Sequence, residues 1–175
     1  QEEVSMDCME TVKNRYSCKN FDGRPVPQDK LNAILEAGRL APTAKNLQEQ
    51  HIYVAQTPQA LAKIDGVTPC RYGASTVLVV AFDRNHVFTY PGEQRDSGVE
   101  DASIVATHLM LAAAALGIDS CWINFFDPAV LARALDLPEQ EEILMLLDLG
   151  YAAPGFKPLP NHSSRKPLSD TVTYL

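Results

Sequence analysis

The chain has 175 residues and a mass of 19.2 kDa, enough for one compact domain with a real core, and no composition shift or linker suggests two. Hydrophobic residues make up 46% and charged residues 21%, which excludes disordered and low-complexity classes. The net charge of −7 argues against nucleic acid or an anionic membrane surface as a partner, so any bound phosphate needs a local basic pocket.

No apolar run approaches the roughly 18 residues of a membrane span, and the opening Gln1-Glu2-Glu3 is acidic where a signal peptide is basic. A soluble, cytoplasmic protein is expected; if Gln1 to Ser5 are a processing remnant, Met6 is the native start. Cys8, Cys18, Cys70 and Cys121 show no metal-ligand spacing and read as reduced thiols, so no metal is expected.

Met6, Met9 and Val12 share one helical face, and that helix ends near Lys13-Asn14-Arg15. After Pro25 and Pro27, the spacing of Leu31, Ile34, Leu35 and Gly38 predicts a helix that stops before Pro42. His51 to Ala55 reads as a strand, and Thr57-Pro58 as the N-cap and first residue of a short helix carrying Leu61 and Ile64. Thr76 to Phe82 is a β-rich apolar run expected to be covered on both faces. Asp83 to Glu100, polar and interrupted by Pro91-Gly92, reads as a functional loop carrying Phe88 and Tyr90.

Asp101 to Leu116 is the strongest helix, apolar almost all round, with Gly117 as its stop. Ser120 to Phe125 follows as a strand, Asp127-Pro128 caps a short helix, and Ile143 to Leu149 is a further strand in which Asp148 is out of place. Glu139, Glu141 and Glu142 read as a solvated link, and His108 as a satisfied core or interface histidine. Beyond Gly150, Pro154, Pro158, Pro160 and Pro167 predict an extended tail of the kind that wraps a partner. Helices and strands mix without regular βαβ alternation, which favours an α+β three-layer arrangement around a mixed sheet.

No phosphate-binding Gly-rich loop, Rossmann fingerprint or hydrolase elbow is present. What remains are basic and small polar residues at chain breaks. Arg15-Tyr16-Ser17-Cys18-Lys19 places Arg15, Ser17 and Lys19 on one side of an extended segment, donors suited to a phosphate or a polar ring. Pro42-Thr43-Ala44-Lys45-Asn46 follows a helix, and Arg165-Lys166 adds a second basic anchor.

In this order the segments resemble the FMN-dependent nitroreductase family from Met6 to Tyr174. The family's R-x-S-x-[RK]-x-F matches Arg15, Ser17, Lys19 and Phe21, and its A-P-[ST]-x-x-N-x-Q matches Ala41, Pro42, Thr43, Asn46 and Gln48. Asp101 and Ala106 are followed by L-x-A-x-x-L-G-[IL]-x-S-C-W-I from Leu111 to Ile123, and L-G-Y and R-K-P-L-S-D close the chain at Leu149 to Tyr151 and Arg165 to Asp170.

The resemblance implies a three-layer α-β-α sandwich with a central mixed β-sheet, in a homodimer that holds FMN at its interface and whose C-terminal tail crosses to the other subunit. It assigns the FMN phosphate to Arg15 and Arg165, with Lys166 a weaker contact, and polar groups of the cofactor to Tyr16, Ser17 and Lys19. Pro42, Thr43, Ala44 and Asn46 would reach the flavin from the partner. Cys121, Trp122, Ile123 and Asn124 would run beside the ring, and Phe88 and Tyr90 would cover its face and meet substrate or else fill a gap in the dimer surface. The implied activity is ping-pong reduction of a nitroaromatic or quinone by NADH or NADPH. Alternatives are a flavin-binding or flavin-sensing module, a flavin destructase, a reductive dehalogenase and an azoline dehydrogenase. Asn124 stands where the family commonly has Gly, Thr43 where Ser is commoner, and Asp148 where an apolar residue is usual.

Overall fold

A computed structural model describes residues 7–92 and 94–175. Five α-helices and four strands follow in order along the described chain: α1 (Cys8–Asn14), α2 (Gln28–Arg39), β1 (Gln50–Ala55), α3 (Pro58–Asp65), β2 (Thr76–Asp83), α4 (Gly98–Ala115), β3 (Asp119–Ile123), α5 (Pro128–Ala134) and β4 (Glu141–Gly150). The sheet order is β1-β2-β4-β3, and every named pair is antiparallel. The parallel component of the expected mixed sheet is an isolated bridge, Ser17 to Ser120, which lays the N-terminal segment along the free edge of β3.

β2 and β4 are the central strands, and their alternation divides the core into two. Leu78, Val80, Phe82, Leu147 and Leu149 face α2 and α4, whereas Val77, Val79, Ala81 and Leu146 face Ile64 of α3 and Leu131 of α5. A β-rich run buried on both faces therefore produces three layers, as expected. Gly38 lets α2 approach α4, because a Cβ there would stand 2.6 Å from Leu109 Cδ2.

The short helices begin where their caps stand. The Thr57 hydroxyl accepts from Ala60 N–H at 3.2 Å, and Asp127 Oδ1 accepts from Ala129 and Val130 N–H at 2.9 and 3.1 Å. The long helix begins three residues before Asp101, its carboxylates Glu100 and Asp101 lying in the first turn. β3 ends at Ile123, two residues before Phe125.

The apolar face of α1 is not internal. Thr11 is its buried residue, whereas Met9 is 58% exposed and Val12 46% exposed; Met6 lies outside the described residues. On α4, Val105, Ala106, Leu109 and Ala113 are buried, while Ile104, Met110 and Leu111 remain half-exposed on the other side. His108, on that side, bonds through Nδ1 to the Ile104 carbonyl at 2.8 Å. The solvated link also differs from expectation. Glu141 opens β4, and its carboxylate bonds to His51 Nδ1 at 2.6 Å and to the Tyr53 hydroxyl, with burial and that carboxylate pushing the phenol pKa up.

Candidate active site

The extended segment 15–22 is clamped between two backbones. Cys18 N–H donates to the Ser120 carbonyl at 2.8 Å, and Asp22 N–H and the Asn20 carbonyl bond to Tyr151 and Ala153 at 2.9 Å each. These bonds hold the side chains of Arg15, Ser17 and Lys19 along one edge. Tyr16 turns under the tail, its ring 6.3 Å from Phe156 in a stacked pair and 6.3 Å from His162 edge-on. Burial and the neighbouring Asp119 carboxylate push its phenol pKa up to about 12. Its role is thus to bring the tail against the N-terminal segment.

Between these parts lies a cavity of about 240 Å³, lined by Arg15, Tyr16, Ser17, Lys19, His162 and Arg165 among others. Arg165 Nη1 donates to the carbonyls of His162 and Ser164 at 2.8 and 2.7 Å, which fixes its guanidinium within its own turn. No Asp or Glu lines the cavity, and among the described residues none of Arg15, Lys19 and Arg165 forms an ion pair. Three cations without a counter-charge, in a protein of net charge −7, make a seat for a polyanionic group such as phosphate. Arg15 also lines an adjoining apolar groove of about 500 Å³ with Val12, Met110 and Leu111.

The larger groove elsewhere, about 650 Å³ between α5 and the start of β4, lacks this selectivity. Arg84 and Arg133 there share the walls with Asp127 and three glutamates, and Arg84 is already bonded to the Glu139 carbonyl at 2.5 Å.

The other expected residues stand apart from the cationic seat in a single chain. Lys166 is exposed and does not line the cavity. Cys121 and Ile123 are buried, and burial followed by the charge of Asp148 pushes the Cys121 thiol up to about 12, so neither side chain can meet a ligand. Trp122 packs against the core and donates its indole N–H to Asn124 Oδ1 at 2.9 Å; Asn124 is not among the left-handed residues. That bond holds the Asn124 side chain against the indole ring.

Pro42, Thr43, Ala44 and Asn46 lie beyond the end of α2 in a tight turn with Lys45, Asn46 and Gln48 at φ of 52°, 54° and 53°. Ala44 N–H donates to Asp101 Oδ1 at 3.0 Å, and the buried Glu49 adjoins Asp101. Glu49, a lone acid with no spacing signal, is not legible as a site residue in the sequence.

Phe88 and Tyr90 pack on each other with centroids 5.5 Å apart, within a loop closed by the Thr89 to Asp96 bridge. Lys45 lies 5.1 Å from the Phe88 centroid and Arg95 4.2 Å from that of Tyr90, whose hydroxyl donates to Glu100. The loop therefore joins the 42–48 turn and not the cationic seat of its own chain.

The model of the nitroreductase family matches residues 12–68 and 69–151. The chain belongs to the nitroreductase family. A nitroreductase family protein from Clostridium difficile 630 is 34% identical, covers 97% of this chain and 98% of its own, and superposes with a TM-score of 0.89. A Bacteroides fragilis nitroreductase crystallised with bound FMN is 27% identical over 97% of this chain and 99% of its own, with a TM-score of 0.76. The Thermus thermophilus NADH dehydrogenase is 28% identical over 204 residues, covering 97% of this chain and 96% of that protein. Among the described residues, no helix is long and apolar enough to cross a membrane.

Proposed function

We propose that the protein is an FMN-dependent oxidoreductase that takes electrons from NADH or NADPH and delivers them, in a ping-pong cycle, to an electron-poor small molecule of nitroaromatic or quinone type. The observation that carries this reading is the seat of Arg15, Lys19 and Arg165 without a counter-charge, which fits a phosphate-bearing cofactor. The Bacteroides fragilis relative with bound FMN supports the identity of that cofactor. When bound, FMN accepts two electrons from the nicotinamide and passes them to the acceptor.

Arg15 and Arg165 grip the phosphate, Lys166 adds a weaker field, and Tyr16 keeps the two arginines together by docking the tail. Ser17 and Lys19 turn their polar ends toward the cofactor, and the backbone at Cys121, Trp122, Ile123 and Asn124 borders its ring. Pro42, Thr43, Ala44 and Asn46 of a second copy complete the seat, with Phe88 and Tyr90 beside them to select the acceptor. Homodimerisation is supported by Met9, Val12 and the half-exposed face of α4, whose apolar side chains lack cover within one chain. The expected scattering mass in solution is twice 19.2 kDa, and folded monomer at micromolar concentration would sink the dimer. The free thiols suit a cytoplasmic setting.

The test is the visible spectrum of the purified protein followed by rapid mixing with NADH and NADPH. Yellow protein that bleaches within seconds and recovers on adding a quinone is expected. Flavin that stays oxidised would make the protein a binding module.

Lys19 is the residue expected to tune the chemistry. Reduction leaves negative charge at the pyrimidine end of a flavin, so a nearby ammonium stabilises the reduced form more than the oxidised one. One charge-assisted hydrogen bond, spread over two electrons, corresponds to roughly 30 to 65 mV. Lys19→Met lowers the midpoint potential by that order while FMN stays bound, as dye-linked titration would measure; an unchanged potential would remove Lys19 from this role.

A further inference from the structure

Two buried carboxyl groups stand behind the 42–48 turn. Glu49 is 5% exposed and Asp101 2% exposed, and neither forms an ion pair among the described residues. Glu49 Oε2 and Asp101 Oδ2 meet no donor, although the remaining oxygens are engaged. Asp101 Oδ1 accepts from Ala44 N–H at 3.0 Å, and Glu49 Oε1 accepts from the Ser97 hydroxyl at 3.4 Å. The two carboxyls adjoin closely enough for Asp101 to act on Glu49 both as a hydrogen-bond partner and as a charge. Two adjacent buried carboxylates cannot both be ionised cheaply, and one proton held between them supplies the missing donor.

The pair touches both segments that the proposed function places at the acceptor side. Ala44 leads into Lys45, Asn46 and Gln48, three left-handed residues without the freedom of glycine, which persist only where their surroundings impose them. Within the turn, Asn46 N–H donates to the Thr43 carbonyl and Gln48 N–H to the Thr43 hydroxyl, at 3.0 and 3.1 Å. Among the described residues, the one bond from this turn to the buried pair is that of Ala44. On the other side, Ser97 Oγ accepts from Phe88 N–H at 3.0 Å, and Ser97 N–H donates to the Phe88 carbonyl at 2.9 Å, which closes the loop bearing Phe88 and Tyr90.

We propose that Glu49 and Asp101 share one proton and act as a positioning clasp that holds the 42–48 turn and the paired segments 88–90 and 95–97 in place, and that loss of this proton to solvent loosens them. The functional consequence rests on the proposed flavin site; the clasp itself does not. With the proton present, Glu49 donates to the Asp101 carboxylate, which keeps its bond to Ala44. With it gone, two carboxylates repel across a site that offers no compensating cation. The charged groups on the surrounding elements are committed elsewhere: Lys45 over Phe88, Arg95 over Tyr90, Glu100 to the Tyr90 hydroxyl, Asp96 to Gly98 N–H and Asp83 to His86. Burial first, and then Asp101, hold Glu49 up at about 7.

Hydrogen exchange on the full-length protein between pH 5 and 8, corrected for intrinsic rates, tests this. Opening the turn hydrates Glu49 and returns it to the ordinary carboxylate range, so protection of residues 43–48, 88–90 and 95–97 falls by as much as about tenfold per pH unit up to about pH 7 and levels off above it. Glu49→Gln, whose amide donates to Asp101 without titrating, keeps protection high and flat. Asp101→Ala lowers it at every pH. Protection in the wild type that does not change with pH, or a Glu49→Gln profile that still titrates, overturns the clasp, and neither result depends on Asp101→Ala folding. A protein with the expected profile but no flavin keeps the clasp and loses the flavin reading. Flat protection in yellow protein does the reverse.

Discussion

Arg15→Ala and Arg165→Ala each lower FMN affinity about ten- to hundredfold, the loss of one charge-assisted bond of roughly 1.5 to 3 kcal/mol to a phosphate. The two arginines come from opposite ends of the chain and meet where Tyr16 packs against Phe156 and His162 of the tail. The Arg165 guanidinium is already fixed by the carbonyls of His162 and Ser164, so little entropy is lost when a phosphate arrives. Lys166→Ala, outside the cavity, has a smaller effect and weakens further as salt is raised. Fluorescence titration of FMN into apoprotein gives all three values. Full flavin occupancy in both arginine variants would show that the phosphate is not seated there.

The parts of this fold that were legible in the sequence are those fixed by neighbours. The Thr57-Pro58 and Asp127-Pro128 starts need only three or four residues to satisfy a helix N-terminus. The β2 run is buried on both faces because its residues are apolar at both parities. In the site, Arg15, Ser17, Lys19 and Arg165 were legible as an ordered set of motifs, and the structure adds how Tyr16 joins their two ends. The all-antiparallel order of the named strands was not legible, since it depends on which strands lie side by side across separations of 22 to 73 residues.

Contacts made at a distance account for the other differences. Glu141 reads as one acid among three in a polar link, but the sheet order brings β2 and β4 together and places the Glu141 carboxylate against His51 and Tyr53 of β1. Phe88 and Tyr90 read as loop aromatics that meet substrate or fill a gap in the dimer surface; Lys45 and Arg95 already cover them in part. Glu49 and Asp101 are 52 positions apart, and each has an ordinary neighbourhood in sequence. Their meeting is a property of the end of α4, where the 42–48 turn and Ser97 converge.

Asp148→Val is expected to stabilise the protein, and the gain grows with pH. Asp148 lies in the middle of the sheet on β4, opposite Val77 of β2 and Cys121 of β3, fully buried, with no partner for either carboxyl oxygen. Arg71 is the nearby cation, but its guanidinium is taken by Asp65 at 2.7 and 2.6 Å and by the Ala74 carbonyl at 2.7 Å. Burial therefore dominates and pushes Asp148 up to about 9, so the group is neutral in the fold at pH 7 and ionised in the unfolded chain. The native state binds the extra proton between about pH 4 and pH 9, and stability falls with rising pH across that window by at most about 1.4 kcal/mol per unit. Valine removes the buried polar atoms as well as the titration. At pH 7 the variant is more stable by about 1 to 3 kcal/mol, and its urea midpoint changes less between pH 5 and 9 than that of the wild type. Asp148→Asn separates the two effects, because it also abolishes the titration but leaves a buried amide whose N–H groups lack acceptors. Midpoints at pH 5, 7 and 9, at one protein concentration and saturating FMN, decide the matter. A valine variant that loses stability at pH 9, with the slope of the wild type retained, would mean that the ionised carboxylate is solvated or paired in solution.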